Sequence, residues 1–245
     1  MAFAKIDDLK IKLQSKRPLT SAELKRVRDE FIIHATYDSN AIEGNSLTLR
    51  ETALILKEGV TIGEKPLKDH LEAIGHRDAF EYVLTLADAK TPLTERVIKD
   101  IHSLVLVSDP VHKGVYRNIP VMIVGAEHTP PQPHLVSGQM EQLLADYEGM
   151  KKGRHAIEAI AEFHLRFEGI HPFVDGNGRT GRLILNLELL KSGLLPINIK
   201  FADRRKYYDC FDAYYADGHD SNMLTNLIAG YELEELERYI QMLDR

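Results

Sequence analysis

Along most of this chain, apolar positions recur every three or four residues, the spacing that lines one face of an α-helix. From His155 to Glu168, Ile157, Ile160, Ala161, His164 and Leu165 fall on such a face, and an apolar helical run follows from Leu183 to Leu190. Helix starts are marked as well. Thr20 with Glu23, and Thr48 with Glu51, have the spacing of a capping box, in which hydroxyl and carboxylate each accept a backbone N–H that the first turn leaves free. The first box predicts a helix to about Asp38, and Gly59 stands where the second helix needs its C-cap. Pro66 and Pro92 read as first-turn prolines of helices near 66–89 and 92–107. Further helices are predicted over 137–152, 155–168, 177–192, 204–216 and 222–244, with Gly169 breaking the second of these.

One segment departs from the helical period. Asn118 to His134 reads NIPVMIVGAEHTPPQPH, in which Val121, Met122, Ile123 and Val124 favour a strand, and Gly125 and the prolines beyond favour a turn. One short β element cannot form a core sheet, so it is expected as a surface hairpin on an otherwise all-α, single-domain protein. The 245 residues are enough for one sizeable core, and 44% hydrophobic with 28% charged residues is an ordinary globular composition. A net charge of −6 argues against a nucleic-acid partner, because phosphate backbones select basic surfaces. No apolar stretch has signal-peptide or membrane-spanning length, and the one cysteine, Cys210, excludes an internal disulfide. The expected setting is the cytoplasm, with no membrane partner; a homo-oligomer is compatible with the sequence.

The reactive chemistry is concentrated in His171 to Arg182, HPFVDGNGRTGR. Pro172 disfavours helical geometry at His171 and keeps it in a loop. A helix starting at Asn177 or Gly178 would aim its free N–H groups and positive dipole end back at that loop, which makes an anion site. Gly176, Gly178 and Gly181 would let phosphate oxygens approach the main chain. Arg179 and Arg182, three residues apart on one helical face, would clamp further phosphates. Asp175 suits Mg²⁺, which binds through one or two carboxylates plus substrate phosphates, and Asn177 can donate an amide N–H to a phosphoryl oxygen. His171 can accept a hydroxyl proton near neutrality. The glycines also spell GxGxxG, but a helix and a proline-containing loop precede them where a dinucleotide fold needs a strand. His102, His128, His134, His155 and His164 lack metalloprotease spacing and read as packing or surface residues.

These twelve residues match without departure the HPFx(D/E)GNGRxxR signature of the Fic family, which the chain resembles over about residues 36–230, including the paired Tyr207 and Tyr208. The resemblance implies a helical domain that moves AMP from ATP onto a Ser, Thr or Tyr hydroxyl of a target protein. His171 would be the base, Phe173 the anchor of the loop and Asp175 the Mg²⁺ ligand. Asn177 with the backbone at Gly176 and Gly178 would form the anion hole, and Arg179 and Arg182 would serve the outer phosphates. The segment Val121–Gly125 would belong to a flap that registers the target peptide by strand addition.

Ser39-Asn40-Ala41-Ile42-Glu43-Gly44 is similar to the (S/T)xxxE(G/N) inhibitory motif of Fic proteins that carry a brake on an N-terminal helix. The resemblance implies that Glu43 takes Arg182 away from the γ-phosphate and misaligns ATP. The same carboxylate could instead position a water that removes AMP from a modified protein, and a catalytically silent nucleotide-binding module is a third alternative. Tyr214 to Asp220, YYADGHD, lacks the asparagine that many members use against adenine, which leaves the base open. The chain divides on this reading into a helical extension over 1–35, the Fic domain over 36–230 and a closing helix over 231–245.

Overall fold

Both capping boxes close as their spacing requires. Thr20 Oγ1 accepts the Glu23 N–H at 3.3 Å while Glu23 Oε2 accepts the Thr20 N–H at 2.8 Å, and Thr48 and Glu51 repeat these distances. The computed structural model describes residues 2–123, 128–216 and 218–244. Its helices are α1 (Ala2–Gln14), α2 (Ser21–Ile42), α3 (Leu49–Glu58), α4 (Leu67–Asp88), α5 (Glu95–Val105), α6 (Val136–Met150), α7 (Ala156–Ile170), α8 (Asn177–Lys191), α9 (Arg204–Ala216) and α10 (Asn222–Leu243). Single 3₁₀ turns at Pro133–Leu135 and Phe201–Asp203 lead into α6 and α9.

Helix α8 is the axis of the molecule. Leu183, Ile184, Leu185, Leu187 and Leu189 are all buried, and a helix apolar on every side must be wrapped by others. Helices α4, α7, α5 and α2 supply that wrapping, while α1 packs on α10. The first turn of α8, where the reactive motif lies, is thereby held from four directions.

Helices α5 and α6 end two residues short of the sequence expectation, at Val105 and Met150, and four other boundaries differ where neighbouring residues decide the outcome. Helix α2 runs four residues beyond Asp38, through polar residues that look like an exit. Asp38 accepts from Asn198 Nδ2 at 2.6 Å and the Phe201 N–H at 2.9 Å, and Asn40 Nδ2 donates to Thr36 O at 3.0 Å. Tertiary partners satisfy these groups, so the helix continues. Gly169 does not break α7, which runs to Ile170 with His171 as its C-cap. A Cβ on Gly169 would lie 1.4 Å from Tyr215 Oη, so this glycine makes room for the Tyr215 side chain. Pro92 precedes α5 in an extended lead-in, because Thr94 is the N-cap and accepts the Val97 N–H at 3.3 Å. Pro66 is itself the N-cap residue of α4.

The expected hairpin is not seen. Val121, Met122 and Ile123 are neither helix nor strand, and Val124 and Gly125 lie outside the described residues. Among the described residues there is no strand, so the β-favouring side chains have no ladder to join. Divisions at 35/36 and 230/231 would fall inside α2 and α10, neither of which is interrupted there. No described helix is long and apolar enough to cross a membrane.

Candidate active site

The loop between α7 and α8 is bolted at each end before any ligand is considered. Gly176, at φ +78°, is the N-cap of α8, a left-handed conformation that a side chain would penalise. Asn177, expected to face phosphate, instead closes the loop. Its Oδ1 accepts the Phe173 N–H at 2.8 Å and its Nδ2 donates to Phe173 O at 2.9 Å. Phe173 is fully buried and stacks on His102 at 3.6 Å between ring centroids. His102 Nε2–H donates to Asp175 O at 2.9 Å, and its Nδ1 accepts the Gly114 N–H at 2.8 Å. Burial pushes this imidazole down to about 4, so it stays neutral and keeps that tautomer.

His171 ends α7 at φ +50°, an unusual conformation for a residue other than glycine, and it turns the ring out of the helix. Its Nδ1 lies 3.2 Å from Glu168 O. A carbonyl only accepts, so Nδ1 carries the proton and Nε2 is left as a bare acceptor. Burial lowers the pKa of the ring, which favours the neutral form that a base requires. Arg117, itself 3% exposed, ties down the surrounding chain: it donates to His171 O at 2.8 Å, to Ile170 O at 3.3 Å and to Pro131 O at 2.6 Å.

The charged groups form two sets on the opening turns of α8. In the first, Arg179 is buried and lies 2.9 Å from Glu72 Oε1 and 3.1 Å from Asp175 Oδ1. Burial pushes the Asp175 carboxyl up, but Arg179, Lys68 and the Gly176 N–H outweigh this and hold it below the ordinary aspartate range. It is therefore ionised and half exposed, as a hard cation would need. In the second set, Arg182 meets the end of α2. Its Nη2 is 2.8 Å from Glu43 Oε1 and from Ser39 O, and its Nε–H donates to Ser39 Oγ at 3.0 Å. Gly44, at φ +91°, then turns the chain away. A Cβ on Gly178 would sit 2.3 Å from Glu43 Oε1, so the carboxylate occupies the floor that this glycine leaves open.

The structure thus gathers His171, Asp175, Gly176, Asn177, Gly178, Arg179 and Arg182 with Ser39, Glu43 and Gly44 around one helix start. Val121, Met122 and Ile123 join no strand there. Sequence reasoning missed Arg117 and Glu72, single charged residues with no local pattern, and set His102 aside as packing.

Residues 92–189 match the Fic/DOC family. The chain is 37% identical over 212 residues to the protein adenylyltransferase Fic of Nematostella vectensis, covering 84% of this chain and 48% of that one. It spans about half the length of the curated relatives it matches. A Fic domain containing signaling protein from Bacteroides thetaiotaomicron has the same fold, with a TM-score of 0.90 and 30% identity over 98% of both chains. Fic-1 from C. elegans aligns with a TM-score of 0.84 and 30% identity, covering 98% of this chain and 71% of that one. With the signature, the loop geometry and a full-length structural match in agreement, the chain belongs to the Fic family.

Proposed function

We propose that this protein is a Mg²⁺-dependent protein adenylyltransferase, moving AMP from ATP to a hydroxyl of a target protein, and that Glu43 restrains it. The observation that carries the reading is the Glu43 carboxylate, held on Arg182 and over Gly178 at the positive end of α8. A carboxylate there fills the kind of place a phosphate would take. Its names in relatives support the chemistry: the Nematostella protein is called a protein adenylyltransferase.

Each side chain has a role in that reaction. Asp175 fits Mg²⁺: it is an ionised, half-exposed carboxylate, and this cation binds through one or two carboxylates together with phosphate oxygens. That ion would neutralise charge on the phosphates. Arg179, braced by Glu72, stands behind Asp175, and Arg182 serves the outer phosphates once Glu43 has left. His171 Nε2 takes the proton of the target hydroxyl as its oxygen bonds to the α-phosphorus and pyrophosphate departs. The segment around Val121, Met122, Ile123, Val124 and Gly125 would register the target chain. A second reading has its own support: Glu43 is a third exposed and holds Arg182 through Oε1, leaving Oε2 open to position a water that releases AMP from a modified protein.

Labelled ATP separates these. Glu43→Gly is expected to raise AMP incorporation at least about tenfold, and adding His171→Ala to remove at least about a hundredfold of it. Equal incorporation by the wild-type protein and Glu43→Gly would sink the restraint. Loss of AMP from a pre-modified target with the wild-type protein, but not with Glu43→Gly, would favour the second reading.

A further inference from the structure

One buried acid beside the triphosphate site has no part in the reaction above. Glu168, in the last turn of α7, is 8% exposed, and its Oε1 has no hydrogen-bond partner among the described residues. It lies directly over α8: a Cβ on Gly181 would come within 2.2 Å of that oxygen. Gly181 is therefore kept bare by Glu168, just as Gly178 is by Glu43. Gly178, Gly181 and Arg182 share one helical face. Arg182 also has an orphan, since its Nη1 is buried without a hydrogen-bond partner among the described residues. Two unsatisfied groups of matching chemistry thus stand on one face and do not meet while Glu43 holds the guanidinium.

We propose that Glu168 is a reserve partner for Arg182: neutral while Glu43 is in place, ionised when Glu43 leaves, and protonated again when an anionic ligand claims the arginine. This rests on the triphosphate reading of the site. The surroundings favour it. Burial pushes the Glu168 carboxyl up to about 8; Arg182 on α8 pulls it down, and Glu43 on α2 pushes it up. The other titratable groups facing it are His164 and His171 on its own helix and Tyr207, Tyr208 and Tyr215 on α9. Burial drives His164 down to about 3 and raises all three tyrosines, so these groups carry no charge near neutrality. Removing Glu43 takes away the negative neighbour and frees the positive one, and both changes favour the Glu168 carboxylate. A triphosphate arriving on Arg182 reverses both. Nucleotide binding should then draw a proton from solvent, with Glu168 acting through Arg182 as a positioning residue.

The test is calorimetry with a non-hydrolysable ATP analogue and Mg²⁺, near pH 8, in two buffers of different ionisation enthalpy. Glu43→Gly should take up about half a proton or more per analogue, because a Glu168 carboxyl near 8 is half protonated at that pH, and Glu43→Gly/Glu168→Gln about none. Affinity should fall by up to about tenfold per pH unit in the first and stay level in the second. Equal proton counts in the two variants overturn the proposal. If the analogue does not bind Glu43→Gly at all, the triphosphate reading itself has failed and the proposal goes with it. A nucleotide-free check covers the event that Glu168→Gln does not fold. The Glu168 carboxyl carbon, followed by NMR, should titrate at lower pH in Glu43→Gly than in the wild-type protein, and an unchanged midpoint overturns the proposal.

Discussion

The His171 ring has one nitrogen committed to Glu168 O and the other bare, and burial lowers its pKa. The consequence for rate has a definite sign. As pH falls through that lowered value, Nε2 takes a proton and the proposed base would be lost, so on the proposed reading activity should hold from neutrality to below the ordinary histidine value of about 6.5. A pH–rate profile of Glu43→Gly with its acid limb centred above that value would contradict the assignment. The sequence makes His171, Asp175 and Arg182 legible because the motif packs them into twelve consecutive residues. Arg117, Glu72 and Glu168 are not legible there. Each is a lone charged residue, and its partners (the His171 carbonyl, Arg179 and the neighbourhood of Arg182) come from distant segments. Asn177 shows the converse: the motif makes it conspicuous, and its amide is used on the Phe173 backbone.

Between elements, the closest approach at a described glycine is where Tyr215 of α9 meets Gly169 of α7. Tyr215 lies flat against His128, with ring centroids 3.7 Å apart, and its hydroxyl passes over Gly169. His128 in turn sits 2.9 Å from Gly169 O. Gly169→Ala should therefore destabilise the protein by about 1–3 kcal/mol, because the new methyl overlaps the Tyr215 hydroxyl. In chemical denaturation, adding Tyr215→Ala should recover part of that loss, giving a coupling of at least about 0.5 kcal/mol. Additive losses would show that the two residues do not meet. Helix existence and most boundaries were legible through capping boxes and periodicity, which are local signals. The errors at Gly169, Asp38 and Pro92 arose where tertiary partners decide the outcome: a tyrosine that needs space, polar side chains satisfied across helices, and a threonine cap two residues past the proline.

Across the whole molecule, four helices hold α8 so that its first turn is fixed, while the Glu43 end of α2 is the part free to change. Ser39 is buried on Arg182, whereas Glu43 is a third exposed and followed by a left-handed glycine. On the proposed reading, opening the Glu43–Arg182 contact asks only the C-cap residue of α2 to swing out, while the bonds from Arg182 to buried Ser39 keep the core packed. The all-helical architecture was readable from periodicity. The meeting of α2 with α8, separated by well over a hundred residues, was implied only by family resemblance, since no local pattern encodes it. The most direct test is a crystal structure of Glu43→Gly with Mg²⁺ and a non-hydrolysable ATP analogue. The account predicts the triphosphate at the start of α8, its outer phosphate on Arg182 and its α-phosphorus facing His171 Nε2. A nucleotide bound elsewhere, or an α-phosphorus turned away from that nitrogen, would contradict it.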